Sequence, residues 1–380
     1  MLELTFVLEQ TLGHAAHSRN IRRMLEQHAD TVRSTVIPIA PAPVHSLVGR
    51  VPGLRTWSFQ ASHRARSAIR AQMASGRVDA VFIHTQVAAL LAGSCMARVP
   101  TVVSLDATPL NFDSQGESYG HTRNNGPIEA AKLRWNRSIF HRAAALVTWC
   151  VWAAESLERD YGVAPEKVTV IHPGVDVARF RPADGPRRSG PVRILFVGGD
   201  FDRKGGPDLL EAMRRLGPRA ELHAVTGSAV EVPSGINVHV HRGLAPQSPE
   251  IVSLYRDADL FVLPSRGDCF PQAVAEALAA GLPVVATTVG AIPEMVREGE
   301  NGLLVPPRDP RRLGEAIEGL VASGHTRRRM GLQSRLLAER EHDADANNNV
   351  ILALLTRLAR KRDPELAEPQ EMERAARAAL

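Results

Sequence analysis

The sequence predicts an α/β protein with two domains, each built around a parallel sheet. A chain of 380 residues is long enough for two domains of ordinary size, and a hydrophobic content of 44% supplies a core for each. Short apolar runs bounded by Gly, Pro or Ser recur along the chain, as the buried strands of parallel sheets do. Residues 260–286 also predict a strand, a loop, a helix and a second strand, a crossover that is almost always right-handed.

The first half of the chain fits this alternation. Gly13 follows the first strand, where a glycine lets the backbone approach a ligand, and a helix is expected after it. Residues 41–70 are predicted to be irregular and then helical, and the polar residues 111–127 to form a mobile loop. The remaining elements predicted here are strands at 2–8, 78–84, 101–106 and 145–148, and helices at 15–28 and 128–144.

The second half repeats the pattern after a domain boundary near Gly174 and a linker over residues 182–191. A terminal segment, residues 349–360, is amphipathic. The elements predicted here are strands at 192–197, 221–226, 237–241, 260–263, 283–286 and 302–305, and helices at 249–256, 271–280, 310–338 and 349–360.

Composition and charge narrow the class of function. The net charge is +5, and Lys and Arg exceed Asp and Glu by 18 to 13 in residues 1–175 but balance at 28 to 28 afterwards. A basic first half suggests an anionic molecule or an anionic membrane surface as its partner, with a solvated arginine-rich surface as the alternative. No motif for nucleic acid accompanies the charge.

Cys95, Cys150 and Cys269 are too widely spaced for a disulfide framework or a zinc site, so a reducing cytoplasm is the expected location. No apolar run approaches the ~20 residues that span a bilayer, and the first ten residues do not resemble a signal peptide.

Two acids mark the loop and helix that follow residues 260–263. Asp268 stands before the expected start of the helix and Glu276 lies inside it, among apolar neighbours. An N-cap aspartate and an exposed glutamate are the alternative interpretation. The sequence continues with GLPVV at 281–285, a glycine turn with Pro-Glu at 290–294 and NGLLV at 301–305. This ordered run resembles the signature of the retaining nucleotide-sugar glycosyltransferases of family four, although the first acid of that signature is usually Glu.

The resemblance implies the GT-B fold, in which two Rossmann-like domains face a cleft and the C-terminal helix crosses back to the first domain. Residues 168–180 also resemble the segment that ends the first domain in that family. The domains expected on this basis are an acceptor-binding domain over residues 1–175, a donor-binding domain over 176–345 and C-terminal helices over 346–380.

The donor site implied by the resemblance lies mainly in the second half. Lys204 follows a glycine turn, where a compact ammonium can meet two phosphate oxygens, and the neighbouring Arg203 supplies a second charge. The family commonly has an arginine where Gly199 stands here, so Arg203 would have to replace it. Glu276 is expected to bind the ribose hydroxyls and Asp268 the sugar, as a catalytic residue. Gly13, Gly243 and Phe270 complete the expected donor contacts.

The acceptor side is expected in the first half, at the carboxyl ends of two predicted strands. His84 and Asp106 fall there, and Asp106 stands where the family often has a histidine. A carboxylate in that place orients or accepts the proton of an acceptor hydroxyl, which makes Asp106 the second candidate catalytic residue. His121 and Arg123 are further candidate acceptor contacts.

The function predicted from these residues is metal-independent, hexosyltransferase-like transfer of a sugar to an acceptor hydroxyl with retention, in glycan, polysaccharide or glycolipid biosynthesis. No cofactor is expected beyond the nucleotide-diphosphate sugar, and no metal-ligand cluster stands out in the sequence. The expected partners are the nucleotide-sugar donor and an acceptor glycan, lipid-linked sugar or small molecule, with no nucleic acid; a peripheral contact with the inner face of the membrane fits the basic first half. A nucleotide-sugar epimerase of the same fold and a non-catalytic sugar-nucleotide-binding subunit remain as alternatives.

Overall fold

The computed structural model describes residues 1–11, 13–40, 56–120, 126–185 and 190–363. The chain divides into two compact units. The first unit comprises Met1–Asn111, Arg123–Pro173 and Asp345–Leu380. The second unit comprises Phe112–Thr122 and Gly174–Ala344.

The first unit contains a six-stranded sheet in the order β2-β1-β3-β4-β5-β6, and every neighbouring pair is parallel. Its strands are β1 Leu2–Glu9, β2 Val32–Ile39, β3 Ala80–His84, β4 Thr101–Leu105, β5 Ala145–Thr148 and β6 Val168–Val170. The helices of this part of the chain are α1 His14–Gln27, α2 Trp57–Ser75, α3 Gln86–Ala89, α4 Gly93–Met96, α5 Pro109–Ser114, α6 Gly126–Arg142, α7 Val151–Arg159 and, after the second unit, the terminal helix Ala344–Arg362.

Helices cover both faces of this sheet because successive strand residues point to opposite sides. Phe6 packs in a cluster with Ile21 of α1 and Ile351 and Leu355 of the terminal helix. The next residue, Val7, packs in a separate cluster with residues of α2 such as Ile69. The amphipathic terminal segment therefore packs on the first unit, as the resemblance predicted.

The second unit contains another all-parallel sheet of six strands, in the order β12-β11-β10-β7-β8-β9. Its strands are β7 Val192–Val197, β8 Ala220–Val225, β9 Val238–His241, β10 Leu260–Leu263, β11 Val284–Thr287 and β12 Gly302–Val305. Its helices are α8 Gly206–Leu216, α9 Pro249–Asp257, α10 Gln272–Ala279, α11 Ile292–Met295, α12 Pro310–Ala322 and α13 Gly324–Glu341, so the terminal helix of the first unit is α14.

Residues 111–127 were expected to form a mobile loop; the described residues 111–120 differ from that prediction, and residues 121–125 lie outside the described residues. Residues 111–120 contain the end of α5 and a 3₁₀ helix over Gly116–Tyr119, and Phe112–Thr122 groups with the second unit although it was assigned to the first domain. Local contacts explain the order: the Ser118 hydroxyl donates to the Arg266 carbonyl at 2.7 Å, and the Arg203 guanidinium lies 4.5 Å from the centre of the Tyr119 ring. The stacking of a cation on an aromatic ring and a partly buried hydrogen bond outweigh the loop-forming composition.

Two further differences concern element boundaries. Strand β2 was not predicted. It lies at one edge of its sheet with most of its residues half-buried, and its three consecutive polar residues and Pro38 weaken the strand pattern. The helix predicted over residues 310–338 is two helices, because Ser323 caps α13 by accepting from the Thr326 amide at 3.2 Å. Of the helices that the structure describes, none combines the length and the apolar character needed to cross a membrane.

Candidate functional site

In the second unit, Lys204 and Asp268 contact each other at the carboxyl ends of neighbouring strands. Lys204 precedes α8 after the turn that follows β7, and Asp268 lies in the loop between β10 and α10. The Lys204 ammonium donates to Asp268 Oδ2, and the Ser265 hydroxyl donates to the same oxygen at 3.3 Å. Their side chains retain 14% and 8% of their accessible surface, so this is a largely buried, hydrogen-bonded ion pair. The structure thus brings together two residues that the sequence predicted for one site.

Two glycines fix the loop that carries Asp268. Gly205 has φ of 78°, and a Cβ there would lie 1.9 Å from the Pro264 carbonyl oxygen. Gly290 has φ of 53°, and a Cβ there would lie 1.9 Å from the Asp268 carbonyl oxygen. A side chain at either position would force the backbones apart, so these glycines permit the close approach that positions the lysine and the acid.

Arg203 is held by groups of the second unit itself. Its guanidinium donates to the Gly267 carbonyl at 2.9 Å and lies 3.4 Å from Asp200 Oδ2. It also stacks over Tyr119, and only 11% of the side-chain surface is exposed. Arg203 therefore ties the acid-bearing loop to the 3₁₀ helix, in addition to placing a positive charge beside Lys204.

Glu276 is buried, which excludes the interpretation as an exposed helix residue. It lies in α10 with 9% of its surface exposed, and the Tyr255 hydroxyl donates to its Oε2 at 2.9 Å. Burial raises the pKa of Tyr255 well above its ordinary value, and the negative charge of Glu276 adds to the effect. Tyr255 therefore stays a neutral donor that fixes the orientation of the Glu276 carboxylate.

The other two residues predicted for the donor differ in their surroundings. Gly243 has φ of 71°, and a Cβ at this position would have no heavy atom of the described residues within 4 Å apart from those of its chain neighbours. Phe270 retains 5% of its accessible surface, and the centroid of its ring lies 6.1 Å from that of the His342 ring. Gly243 thus leaves room beside its turn, whereas Phe270 packs inside the unit.

The first unit brings His84 and Asp106 together through a third residue, His14. His84 ends β3, Asp106 follows β4, and His14 begins α1 directly after Gly13. The distance from His14 Nδ1 to His84 Nε2 is 2.9 Å, and that from His14 Nε2 to Asp106 Oδ2 is 4.0 Å. The His84 ring is stacked on Trp149 with centroids 5.0 Å apart, which fixes its plane. These side chains meet at the carboxyl edge of the sheet, where open α/β sheets bind ligands.

Burial governs the electrostatics of this group. It lowers the pKa of His17 to about 3 and that of His84 well below its ordinary value, with His14 as the second cause in both. It raises the pKa of Asp106, against the opposing effect of His14. Among the described residues, neither ring nitrogen of His17 has a hydrogen-bond partner. The arrangement places two buried imidazoles, His17 and His84, whose affinity for a proton is reduced, near a carboxyl group whose affinity for a proton is increased.

Sequence reasoning missed His14, Tyr255 and Trp149. His14 had a signal, a Gly-His pair at the first strand-to-helix turn, but a single histidine carries little weight without its partners. Tyr255 and Trp149 are separated in sequence from the residues they orient, so only the fold shows their role. His121 and Arg123 lie outside the described residues.

Two family models match the chain. One, described as Glycosyltransferase Family 4, matches residues 11–179, and one described as Glycosyl transferases group 1 matches residues 191–323. D-inositol 3-phosphate glycosyltransferase 1 of Catenulispora acidiphila is 31% identical over 279 residues, which are 65% of this chain and 65% of that protein. The D-inositol 3-phosphate glycosyltransferase of Geodermatophilus obscurus is 34% identical over 222 residues, which are 52% of this chain and 49% of that protein. The chain therefore spans about half to two thirds of the curated relatives it matches.

Solved structures share the fold. Sucrose-phosphate synthase from Thermosynechococcus elongatus has a TM-score of 0.74 at 18% identity, covering 94% of this chain and 99% of that one. HepE of Anabaena in complex with UDP-glucose has a TM-score of 0.69 at 17% identity, covering 94% and 100%. These likenesses, together with the two parallel six-stranded sheets, confirm the predicted GT-B class with two Rossmann-like domains.

Proposed function

This chain belongs to family 4 of the glycosyltransferases, and from that premise we propose that it moves a sugar from a nucleotide-diphosphate donor to an acceptor hydroxyl with retention of configuration. The second unit binds the donor and the first unit the acceptor. The donor we propose is a uridine diphosphate sugar, since the HepE structures of the same fold hold UDP and UDP-glucose.

The observation that carries the proposal is the buried contact of Lys204 with Asp268. A diphosphate gains negative charge as the sugar leaves, and a cation fixed at the ends of β7 and β10 stabilises that charge without reorganisation. In the donor complex the ammonium turns from the carboxylate to the phosphate oxygens, or bridges the two. Asp268 is then released toward the hydroxyls of the sugar, which donate to its oxygens.

Glu276 binds the ribose of the donor. An ionised carboxylate accepts two hydrogen bonds from the two hydroxyls of a ribose, provided that its plane is fixed. The hydrogen bond of 2.9 Å from Tyr255 fixes it before the donor arrives. The same geometry in a flexible, exposed glutamate would cost side-chain entropy on binding.

Asp106 orients the acceptor hydroxyl and takes part in its proton transfer. Its raised pKa brings its proton affinity closer to what a general base needs near neutral pH, and His14 lies 4.0 Å away to hold the negative charge. Retention is consistent with a departing phosphate that takes the acceptor proton on the same face of the sugar, in which case Asp106 positions the hydroxyl.

The acceptor we propose to test first is D-inositol 3-phosphate. The curated relatives carry that acceptor in their names, and the excess of 18 basic over 13 acidic residues in the first 175 positions favours an anionic molecule. A phosphorylated polyol offers both features that the first unit favours, a hydroxyl for Asp106 and a charge for the basic surface.

The test is a screen of UDP-, GDP-, ADP- and TDP-sugars by thermal shift and by release of nucleotide diphosphate, with and without D-inositol 3-phosphate. At a hundred times its dissociation constant the correct donor adds about 2.7 kcal/mol to the free energy of unfolding. We expect the shift with UDP-sugars, its loss in Glu276→Gln, and faster nucleotide release when the acceptor is added. If the wild type binds a nucleotide sugar but releases no nucleotide diphosphate with any acceptor tried, the chain is a non-catalytic binding subunit and not a transferase.

A further inference from the structure

Four side chains with metal-binding chemistry lie on one face of an outer pair of strands in the second unit. Glu221 and His223 alternate along β8, and His239 and His241 alternate along β9, the last strand of the sheet. Strand residues two apart point to the same side, and His223 pairs in register with His239. All four side chains therefore face the same side of the sheet.

Three of these residues are close enough to share one ion. One ligand atom from each of Glu221, His223 and His239 lies within 4.8 Å of the others. His223 Nε2 is 3.4 Å from Glu221 Oε1, and the rings of His223 and His239 are nearly parallel with centroids 4.8 Å apart. Ligand atoms about 2 Å from a common zinc ion are separated by 3–4 Å, so small rotamer changes convert this cluster into a metal site.

We propose that Glu221, His223 and His239 bind a divalent transition-metal ion, with zinc as the expected species. Two imidazoles and a carboxylate are the ligand set that zinc uses where a fourth position stays open to water. His239 is exposed and the other two are half-buried, so the open position faces solvent and the ion has a path to the site. None of these residues belongs to the donor or acceptor site.

The surrounding groups orient the ligands as metal sites require. His223 Nδ1 lies 3.1 Å from His241 Nε2, and in the tautomer whose Nδ1 donates to His241, Nε2 of His223 is the nitrogen that would bind the metal in place of its contact with Glu221. Arg193 donates from Nε to Glu221 Oε1 at 2.6 Å, which holds the carboxylate in place beside His223.

The ion would join the edge strand to its neighbour. β9 has four residues and, of the strands that the structure describes, pairs only with β8, so it depends on few backbone hydrogen bonds. A metal held by one strand through Glu221 and His223 and by the other through His239 adds a second link, and binding to the folded state alone raises the stability of the unit by mass action.

The experiment is a titration of the full-length, untagged protein, freed of metal by a chelator, with Zn²⁺ in a calorimeter and with Co²⁺ in an absorption cell. We expect one equivalent of each ion and visible Co²⁺ bands of a low-coordinate site. His223→Ala and His239→Ala should each weaken zinc binding at least 100-fold. The matched control is His325→Ala, an exposed histidine of α13 that should leave the affinity unchanged.

Two further variants separate ligation from a general loss of structure. His239→Cys should keep one equivalent of Co²⁺ and add a thiolate-to-cobalt charge-transfer band, which arises only if position 239 is a ligand. His241→Ala should bind about 10- to 100-fold more weakly with the stoichiometry kept, as loss of an outer partner does. A wild type that binds no equivalent, or unchanged affinity in both alanine variants of the ligands, would overturn the assignment. Circular dichroism of each variant excludes misfolding as the cause.

Discussion

The proposed donor site of the second unit and the histidine cluster of the first unit both lie at the carboxyl ends of the strands in their own sheets, yet their charges differ. Lys204 and Asp268 are both charged and neutralise each other across a hydrogen bond. His17, His84 and Asp106 are shifted toward their neutral forms by burial. A diphosphate brings charge and needs a fixed cation, whereas a hydroxyl brings none and needs a group that accepts or orients a proton. The contrast agrees with the proposed division of the reaction, in which the second unit binds the donor and the first unit binds the acceptor.

The strongest test of the charged site is Lys204→Ala. Without the Lys204 ammonium, the Asp268 carboxylate is not neutralised and repels the leaving diphosphate. The value of kcat should therefore fall by roughly 10²- to 10³-fold, as it does on loss of one hydrogen-bond donor to a transition state. Steady-state kinetics with the UDP-sugar found in the screen measures this. The control is Lys132→Ala, which breaks an exposed pair with Glu129 in α6 and should change kcat less than twofold. A kcat within a few-fold of wild type for Lys204→Ala would remove the lysine from the mechanism.

The neutral cluster is tested by Asp106→Asn, which should affect activity and stability in opposite directions. Transfer should fall by about 10²-fold, because the amide cannot accept the hydroxyl proton. Because the pKa of Asp106 is raised in the folded protein, the stability that its protonated carboxyl group contributes is fully present below the pKa of Asp106 in the unfolded chain. This stability is lost as the pH rises through the pKa of Asp106 in the folded protein. Asn carries no charge at any pH, so the variant should unfold at a higher temperature than wild type at pH 7.5 and at a similar temperature at pH 3.5. Thermal unfolding at the two pH values measures the difference, and a lower melting temperature at pH 7.5 would contradict it.

The same cluster predicts instability in acid. The pKa of His17 is lowered to about 3, so the stability that its neutral form contributes is present above the unfolded pKa of 6.5 and is lost as pH falls toward 3. The loss amounts to roughly 1.4 kcal/mol for each pH unit, or about 2 kcal/mol at pH 5. His17→Leu removes the titrating imidazole, whose two ring nitrogens have no hydrogen-bond partner within the part of the chain that the structure describes, so its unfolding free energy should fall less than that of wild type between pH 7.5 and pH 5.

Chemical denaturation at both pH values measures the effect, and His63→Leu, an exposed histidine of α2, serves as the control. Equal slopes in wild type and His17→Leu would show that the acid sensitivity has another origin.

The smallest expected effect concerns the partner of Glu276. Tyr255→Phe removes the hydrogen bond to the carboxylate and should raise KM for the donor roughly tenfold with little change in kcat, since about 1.5 kcal/mol is typical of a hydrogen bond to a charged group. Tyr161→Phe removes a buried tyrosine hydroxyl in the first unit and should leave the donor KM unchanged. An unchanged KM in Tyr255→Phe would mean that Glu276 is oriented by other contacts.

The two sites also differ in how far the sequence predicts them. Asp268 and Glu276 lie in one ordered run of turns and short strands, Lys204 lies in a separate glycine turn, and the resemblance of these segments to family four assigned the three residues to one site. His14 and Trp149 lie beside His84 and Asp106 only because the order of the strands brings four separate strand ends to one edge of the sheet. The Glu-x-His of β8 and the His-x-His of β9 were visible as alternating residues, but their shared site depends on a strand pairing across an intervening loop. Sequence patterns predict contacts that are local, and the remaining contacts depend on tertiary pairing.

The return of α14 to the first unit imposes an order on synthesis. The second unit is complete once Ala344 has left the ribosome, but the face of the first sheet that holds Leu4 and Phe6 lacks Ile351 and Leu355 until later. At 5–20 residues per second, the interval between Pro173 and Leu355 is about 10 to 40 s. The part of the protein that is made first is therefore finished last, and its uncovered apolar face is what a chaperone would meet on the nascent chain.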